Sequence, residues 1–250
     1  MLKRSLIGTA MISLGLCVNT TAIADGANIH GVGGVSLPNA GGQQSLNLGA
    51  VTDQFNTTNH SDVSAVWGFG VGYQWDAPIK NKPFAFDLDL TGYYTQNSLS
   101  GVQTPAINLI SQADTLNYRA SESSWAWMIE PKLISTAYAW QPYVVGGLGV
   151  SNNRMSGYSE TPSNPNSSAV TTNAFANKTT TNLAWELGVG VQRSIYTTLS
   201  GKKVVLSGEY RYMDWGPMSL GTTAAQTTQF GPSFGHLKTN LFDLRLSLQF

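Results

Sequence analysis

The sequence is poor in cysteine, in charged residues and in long apolar runs. Its single cysteine, Cys17, lies near the start, so the rest of the chain can hold neither a disulfide nor a thiol-ligated metal. Only 11% of the residues are charged, and acidic and basic side chains are equal in number, which argues against a nucleic-acid partner. No apolar run after residue 24 approaches the roughly 20 residues that a membrane-spanning helix needs.

The first 24 residues have the pattern of a cleavable export signal. Lys3 and Arg4 precede an apolar stretch over 6–18, and Ala22 and Ala24 supply the small residues of a cleavage site. Leu16 stands before Cys17, where a lipoprotein signal needs a small residue, so no lipid anchor is expected. We therefore predict a signal peptide over 1–24 and one β-barrel domain over 25–250.

Strict alternation of apolar and polar residues replaces helical periodicity after the signal. It is clearest in the last ten residues, where one face carries only apolar side chains: Phe242, Leu244, Leu246, Leu248 and Phe250. Six further segments alternate in the same way and are predicted as strands: 63–75, 84–94, 123–134, 142–151, 181–192 and 204–215. The first strand is placed at 28–37, with 43–52 as its competitor. Pro131 cannot donate to a ladder, and a bulge is expected there.

The connections between these segments alternate in length. Those at 77–83, 135–141 and 193–203 are short, whereas those at 38–62, 95–122, 152–180 and 216–238 are long and rich in Ser, Thr, Asn, Gly and Pro. Short turns on one end and long loops on the other are typical of bacterial membrane barrels. The pattern predicts an all-β, eight-stranded, antiparallel up-and-down transmembrane β-barrel, with both mature termini at the short-turn end.

The apolar face is predicted to point outward, towards lipid, instead of inward as in a soluble barrel. Aromatic residues on that face fall at two levels, as interfacial girdles do: Trp75, Phe84 and Phe250 at one, and Tyr94, Trp125, Tyr212 and Phe242 at the other. The polar face is rich in glycine, which would leave room for long charged side chains inside a narrow barrel.

Nine charged residues share the inward face: Asp87, Asp89, Glu130, Lys132, Glu186, Glu209, Arg211, Asp243 and Arg245. Unpaired charges in such an interior would be costly, so these residues are predicted to form an ion-pair network. Pairing about the last long loop makes Glu209 face Arg245 and Arg211 face Asp243. The same arithmetic opposes Asp87 to Lys132 but Asp89 to Glu130, so an arginine should reach across to the two acids. A plug is favoured over a gated conduit, because eight strands leave no room for water.

The segments Gln141–Val150 and Tyr210–Gly216, with the terminal strand, resemble the small outer-membrane barrel family, which includes opacity proteins, the OmpA transmembrane domain and OmpW-like proteins. The resemblance implies location in the outer membrane of a Gram-negative bacterium, with outer-membrane lipid and lipopolysaccharide as surroundings. It also implies that Leu246, Leu248 and Phe250 are read by the barrel-assembly machinery. OmpA carries a peptidoglycan-binding domain after its barrel, and that tethering role is not expected here.

No catalytic, cofactor-binding or metal-binding motif is present, and no cofactor is predicted. The resemblance includes barrel enzymes that cleave lipid or peptide, but His60 and His236 have no clear acid or nucleophile partner, so no enzyme is predicted. Two functions remain: a structural and surface-interaction role, with loops that contact a host or extracellular ligand, and a porin-like channel for small or hydrophobic solutes. A continuous ion-pair plug would favour the first, and an apolar opening through the wall the second.

Overall fold

The computed structural model describes residues 26–39, 43–47, 52–60, 63–76, 83–106, 115–164, 175–224 and 230–250. These residues form ten strands in one antiparallel, ring-like sheet. The strands are β1 (Ala27–Asn39), β2 (Gln43–Asn47), β3 (Thr52–His60), β4 (Ser64–Asp76), β5 (Phe84–Ala106), β6 (Leu116–Ser135), β7 (Gln141–Pro162), β8 (Lys178–Thr197), β9 (Lys203–Ser219) and β10 (Ser233–Gln249). No helix among the described residues is long and apolar enough to cross a membrane.

The ring closes because β1 pairs with both β10 and β4, and β5 pairs with both β4 and β6. The remaining pairs follow chain order from β6 to β10. The strand number differs from the expected eight, since β2 and β3 form a hairpin inside the connection expected at 38–62. This hairpin pairs with the far end of β5, so it extends the wall upward beyond β4.

The strands are longer than the alternation indicated. β5 continues to Ala106 and β6 begins at Leu116, so much of the loop expected at 95–122 is strand, and β7 and β8 likewise extend into 152–180. Ser, Asn and Gly are poor strand formers, but pairing with a neighbouring strand overrides that preference. The turn between β6 and β7 is short as expected, and the turn expected at 193–203 narrows to 198–202.

The first strand is β1, as the interpretation at 28–37 predicted, and 43–47 is the first strand of the added hairpin. The bulge expected at Pro131 is absent, because β6 keeps one register with β7 on both sides of it. The N–H of Gly26 donates to the carbonyl of Phe250 (2.8 Å), so both lie at one end of the ring. Residues 1–24, with the cleavage residues Ala22 and Ala24, lie outside the described residues, as do 77–82.

Along its axis the ring divides into a lower half and an upper half, and the long strands run through both. In the lower half, which contains 84–95 of β5 and 124–135 of β6, large apolar side chains such as Phe69, Ile129 and Leu187 are 51%, 56% and 64% exposed on the outside. In the upper half, which contains 96–106 of β5 and 116–123 of β6, the outside is polar and the inside is mainly apolar, with a few buried polar side chains such as Asp53 and Glu122. The alternation of inward and outward side chains continues from one half to the other. In the lower half the large apolar side chains point outward, and in the upper half they point inward.

Candidate functional site in the lower lumen

The nine predicted lumen residues all lie inside the lower half. They sit on inward positions of β5, β6, β8, β9 and β10, and each is at most 6% exposed. Six are carboxylic acids and three are basic; each arginine contacts several acids, Lys132 contacts Asp89, and Asp87 accepts a hydrogen bond from the Asn28 amide. We call these nine residues the ion-pair layer.

Arg245 links three strands of the layer. Its guanidinium donates to Glu130 on β6 (2.9 Å), to Glu209 on β9 (3.1 Å) and to Asp89 on β5. It also donates to the hydroxyl of Tyr93 (3.0 Å). One side chain from β10 therefore crosses the lumen to the opposite wall.

Arg211 forms a second hub beside it. Its guanidinium donates to Glu130 and to Asp243, each at 2.8 Å, and to Glu186 at 3.2 Å. It also donates to the Tyr93 hydroxyl and lies over the Tyr93 ring, 4.6 Å from its centroid. The two arginines therefore share Glu130 and Tyr93, and the layer is continuous across the lumen.

The sequence predicted the registers of two strand pairs, and the structure agrees with the prediction for β5 and β6 only. β5 and β6 pair as predicted, with Asp87 opposite Lys132 and Asp89 opposite Glu130. Both arginines reach Glu130, and Arg245 also reaches Asp89; Lys132 contacts Asp89 as well.

The expected register of β9 and β10 is wrong by two positions. Asp243 faces Glu209, Arg245 faces Ser207, and Arg211 faces Leu241. The loop between the two strands is centred one residue earlier than 216–238 implied. The expected partners still meet, because long arginine side chains reach diagonal neighbours across a sheet.

Glycines make room for the layer. A Cβ on Gly188 would overlap the Arg211 side chain, and a Cβ on Gly72 would overlap the Asp89 carboxylate. Both glycines lie on inward positions of strands beside these charged residues. The glycine-rich polar face therefore serves the purpose expected from the sequence.

Several neutral residues of the site were missed. Tyr93 joins both arginines, and the Asn28 amide donates to Asp87 (3.3 Å) and Asp89 (3.2 Å). His30 lies between Asn28 and Thr91, at 3.0 Å from each. All four lie at inward positions of β1 or β5, so the alternation could have identified them. His30, Asp89 and Glu130 could together approach one metal ion, but Arg245 already bridges the two carboxylates.

The upper lumen is filled by aromatic side chains. Phe55 on β3 packs edge-on against Tyr118 of β6 and Phe234 of β10, with ring centroids 5.6 Å and 6.3 Å apart. Tyr158 stacks on Tyr118 and meets Phe175 at 5.1 Å. This aromatic core was not predicted, because Phe55 and Phe175 lie in stretches that the composition indicates as loops.

Two buried acids in the upper half, Asp53 and Glu122, contact no cationic side chain among the described residues, and the Gln103 amide donates to Asp53 (2.8 Å). Glu122 is 3% exposed and accepts hydrogen bonds from the Asn97 amide (3.0 Å) and the Ser124 hydroxyl (2.6 Å). Burial raises the pKa of its carboxyl to about 7, although the two hydrogen bonds favour the charged form. Near neutral pH this carboxyl therefore changes charge inside an apolar core.

The histidines form no assembled catalytic group among the described side chains. His236 lies at the rim, 3.0 Å from Asp214, and is half exposed. Asp214 also accepts a hydrogen bond from the N–H of Gly216 (2.8 Å), so it fixes the local turn. The side chain of His60 lies outside the described residues.

The fold defined by these features is an antiparallel β-ring with a charged lower lumen and an apolar upper lumen. Among solved structures, it is similar to the crystal structure of Neisserial surface protein A (NspA), with a TM-score of 0.40 and 13% identity. The match covers 92% of this chain and 100% of that chain. No family model and no curated protein matches the sequence.

Proposed function

We propose that this chain is an integral outer-membrane β-barrel whose lower half crosses the bilayer and whose upper half presents a rigid surface outside the cell. The observation that carries the proposal is the apolar outer face of the lower half, which surrounds a charged interior. In water, such an arrangement would expose apolar side chains and bury charges, both of which are unfavourable. In lipid the same arrangement is favourable, because the closed ladder also satisfies the backbone.

Aromatic side chains at both edges of the apolar face support this placement. Trp67, Tyr94 and Trp125 form a contact cluster at the upper edge, and Trp75 packs against Phe86 at the lower edge. Tryptophan and tyrosine favour the interface between lipid and water on both sides of a membrane.

A surface-interaction role is supported over a porin-like channel by the contents of the lumen. The ion-pair layer crosses the lower lumen, and the aromatic core fills the upper one. A conducting path would require both to rearrange. The proposed partners are outer-membrane lipid, lipopolysaccharide, and a host or extracellular ligand that contacts the upper half.

The proposal includes export and assembly by the barrel-assembly machinery. Leu246 is 53% exposed on the outside of β10. Leu248 has the same parity on this strand, and Phe250 follows directly after its last residue. This is the alternation that the resemblance to small outer-membrane barrels associates with the assembly signal.

Charge insertion on the outer face tests the membrane placement. Arginine near the bilayer midplane of a barrel costs about 2–4 kcal/mol, and the cost falls to about 0–1 near the interface. Leu187→Arg, in the middle of the apolar face of β8, should therefore prevent most refolding into phospholipid vesicles. Thr181→Arg, on the outward face of the same strand at the level of Trp125 in the upper aromatic cluster, is the matched control and should refold normally.

Refolding is measured by heat-dependent gel migration and by protection of the lower strands from protease. Equal refolding of the two variants would contradict the placement in lipid. Planar-bilayer recordings of the refolded protein are expected to show no steady conductance, and regular open channels would favour the porin-like function instead.

A further inference from the structure

A notch opens on the outside of the wall where β5 changes its partner. β4 pairs with β5 as far as Thr95, and β3 pairs with it only from Leu99 onward. Residues 96–98 pair with β6 but are in the described backbone register of neither β3 nor β4, although the Ser64 hydroxyl of β4 donates to Asn97. The notch holds about 490 Å³ and lies directly above the aromatic cluster of the upper girdle.

The lining combines an aromatic floor with a polar rim. Trp67 and Tyr94 form the floor, with ring centroids 5.2 Å apart, and Trp67 is 44% exposed. Gln96, Ser98 and Ser121 place an amide and two hydroxyl groups around it, while the Asn97 side chain points inward and is hydrogen-bonded to Ser64 and Glu122. Flat rings that accept the apolar face of a pyranose, beside amides and hydroxyls that bond its hydroxyls, suit a sugar ring.

A positive charge lies close to the rim. Arg119 is exposed on the outside of β6, two residues beyond Ser121, or about 7 Å along the strand. None of the lining residues is acidic. An anionic group attached to the sugar would therefore meet a cation and no opposing charge.

We propose that the notch binds the phosphorylated glucosamine head group of an outer-leaflet glycolipid. The sugar lies against Trp67 and Tyr94, and a phosphate points towards Arg119. The acyl chains follow the apolar stripe that continues down the wall below Trp67. The inference rests on the proposed membrane placement, since only that placement brings the upper girdle to the level of lipid head groups.

Native mass spectrometry of the full chain, refolded in detergent micelles and titrated with diphosphoryl lipid A, tests the site. One tightly retained lipid A per protein is expected. Trp67→Leu and Arg119→Gln should each weaken retention about tenfold, as expected for loss of one stacking or charge-assisted contact. Ala65→Glu, which places a negative charge in the notch, should abolish retention.

Three matched controls place the same changes elsewhere on the outside. Trp185→Leu alters an aromatic residue of the wall on β8 that packs against Tyr212, Lys238→Gln removes an exposed cation on β10, and Thr181→Glu adds an acid on β8. All three should retain lipid A as the unaltered protein does. Equal weakening by variants and controls would overturn the proposal.

Competition identifies the part of the ligand that is recognised. Excess phosphatidylglycerol should not displace lipid A, and displacement would mean that the notch takes any anionic lipid, which overturns the sugar assignment. A deacylated glucosamine bisphosphate disaccharide should bind far more weakly, and equal binding would overturn the assignment to a lipid. Failure to enter vesicles would instead overturn the membrane placement, and heat-dependent gel migration of each variant separates the two failures.

Discussion

The lower and upper halves of the ring use the same strands but opposite interiors. β6 places Trp127 and Ile129 outside and Glu130 inside in its lower part, whereas its upper part places Arg119 and Ser121 outside and Tyr118 inside. Period-two alternation is preserved throughout. The difference teaches that alternation establishes the strand, and the surrounding solvent determines which face is apolar.

The two halves are also held together by different forces. The lower lumen depends on directional charge-assisted contacts around two arginines, and the upper lumen depends on aromatic packing. Removal of one residue should therefore leave unpaired charges in the lower half and a cavity in the upper half. The following predictions separate these two costs.

The largest loss of unfolding free energy is expected from Arg245→Ala. The change removes a cation from three buried carboxylates, Asp89, Glu130 and Glu209, and breaking a buried pair costs about 3–5 kcal/mol. The free energy of unfolding, measured by urea denaturation in detergent, should fall by that amount. Arg154→Ala, on the exposed outside of β7, is the control and should change it by less than about 0.5 kcal/mol.

The double variant Glu209→Ala/Arg245→Ala sharpens this test. It removes Glu209, which Arg245→Ala leaves with only the longer contact to Arg211 (3.4 Å), while Asp89 keeps Lys132 and Glu130 keeps Arg211 at 2.8 Å. The double variant should therefore be more stable than Arg245→Ala alone. Losses that simply add would contradict a coupled layer.

A somewhat smaller effect is expected from Phe55→Ala in the upper half. Phe55 is fully buried between Tyr118 and Phe234, and removing a buried phenyl ring costs about 3 kcal/mol or more through lost burial and the cavity. Protease cleavage of the upper half should accelerate while the lower half stays folded in vesicles. Phe230→Ala, where the ring is 75% exposed, should cleave at the original rate.

The sequence was informative where burial of one face imposes strict alternation. The inward parity of 84–94 and 123–134 follows from it, and the aromatic levels and inward glycines indicated which face points outward. Both hairpin registers were taken from the centre of a long connection, which composition does not determine, so the β5–β6 register was right and the β9–β10 register was wrong by two positions. The hairpin and aromatic core of the upper half were missed because Ser, Asn and Gly dominate there. Long-range pairing, which a single sequence does not reveal, makes those residues strands.

The smallest expected effect is a pH dependence of the unfolding free energy that arises in the upper half. Burial raises the pKa of Glu122 from an ordinary value of 4.5 to about 7, so the folded protein holds this proton more tightly than the unfolded chain does. The resulting stability is fully present below about pH 4.5 and is lost as the pH rises through about 7. Between pH 5 and 8 the unaltered protein should therefore lose about 2 kcal/mol more unfolding free energy than Glu122→Gln, whose amide stays neutral. Urea denaturation of both proteins at both pH values measures the difference. If Glu122→Gln lost as much stability as the unaltered protein, the assignment to Glu122 would be wrong, and Asp53, whose pKa burial also raises, would be the next group of the upper half to replace.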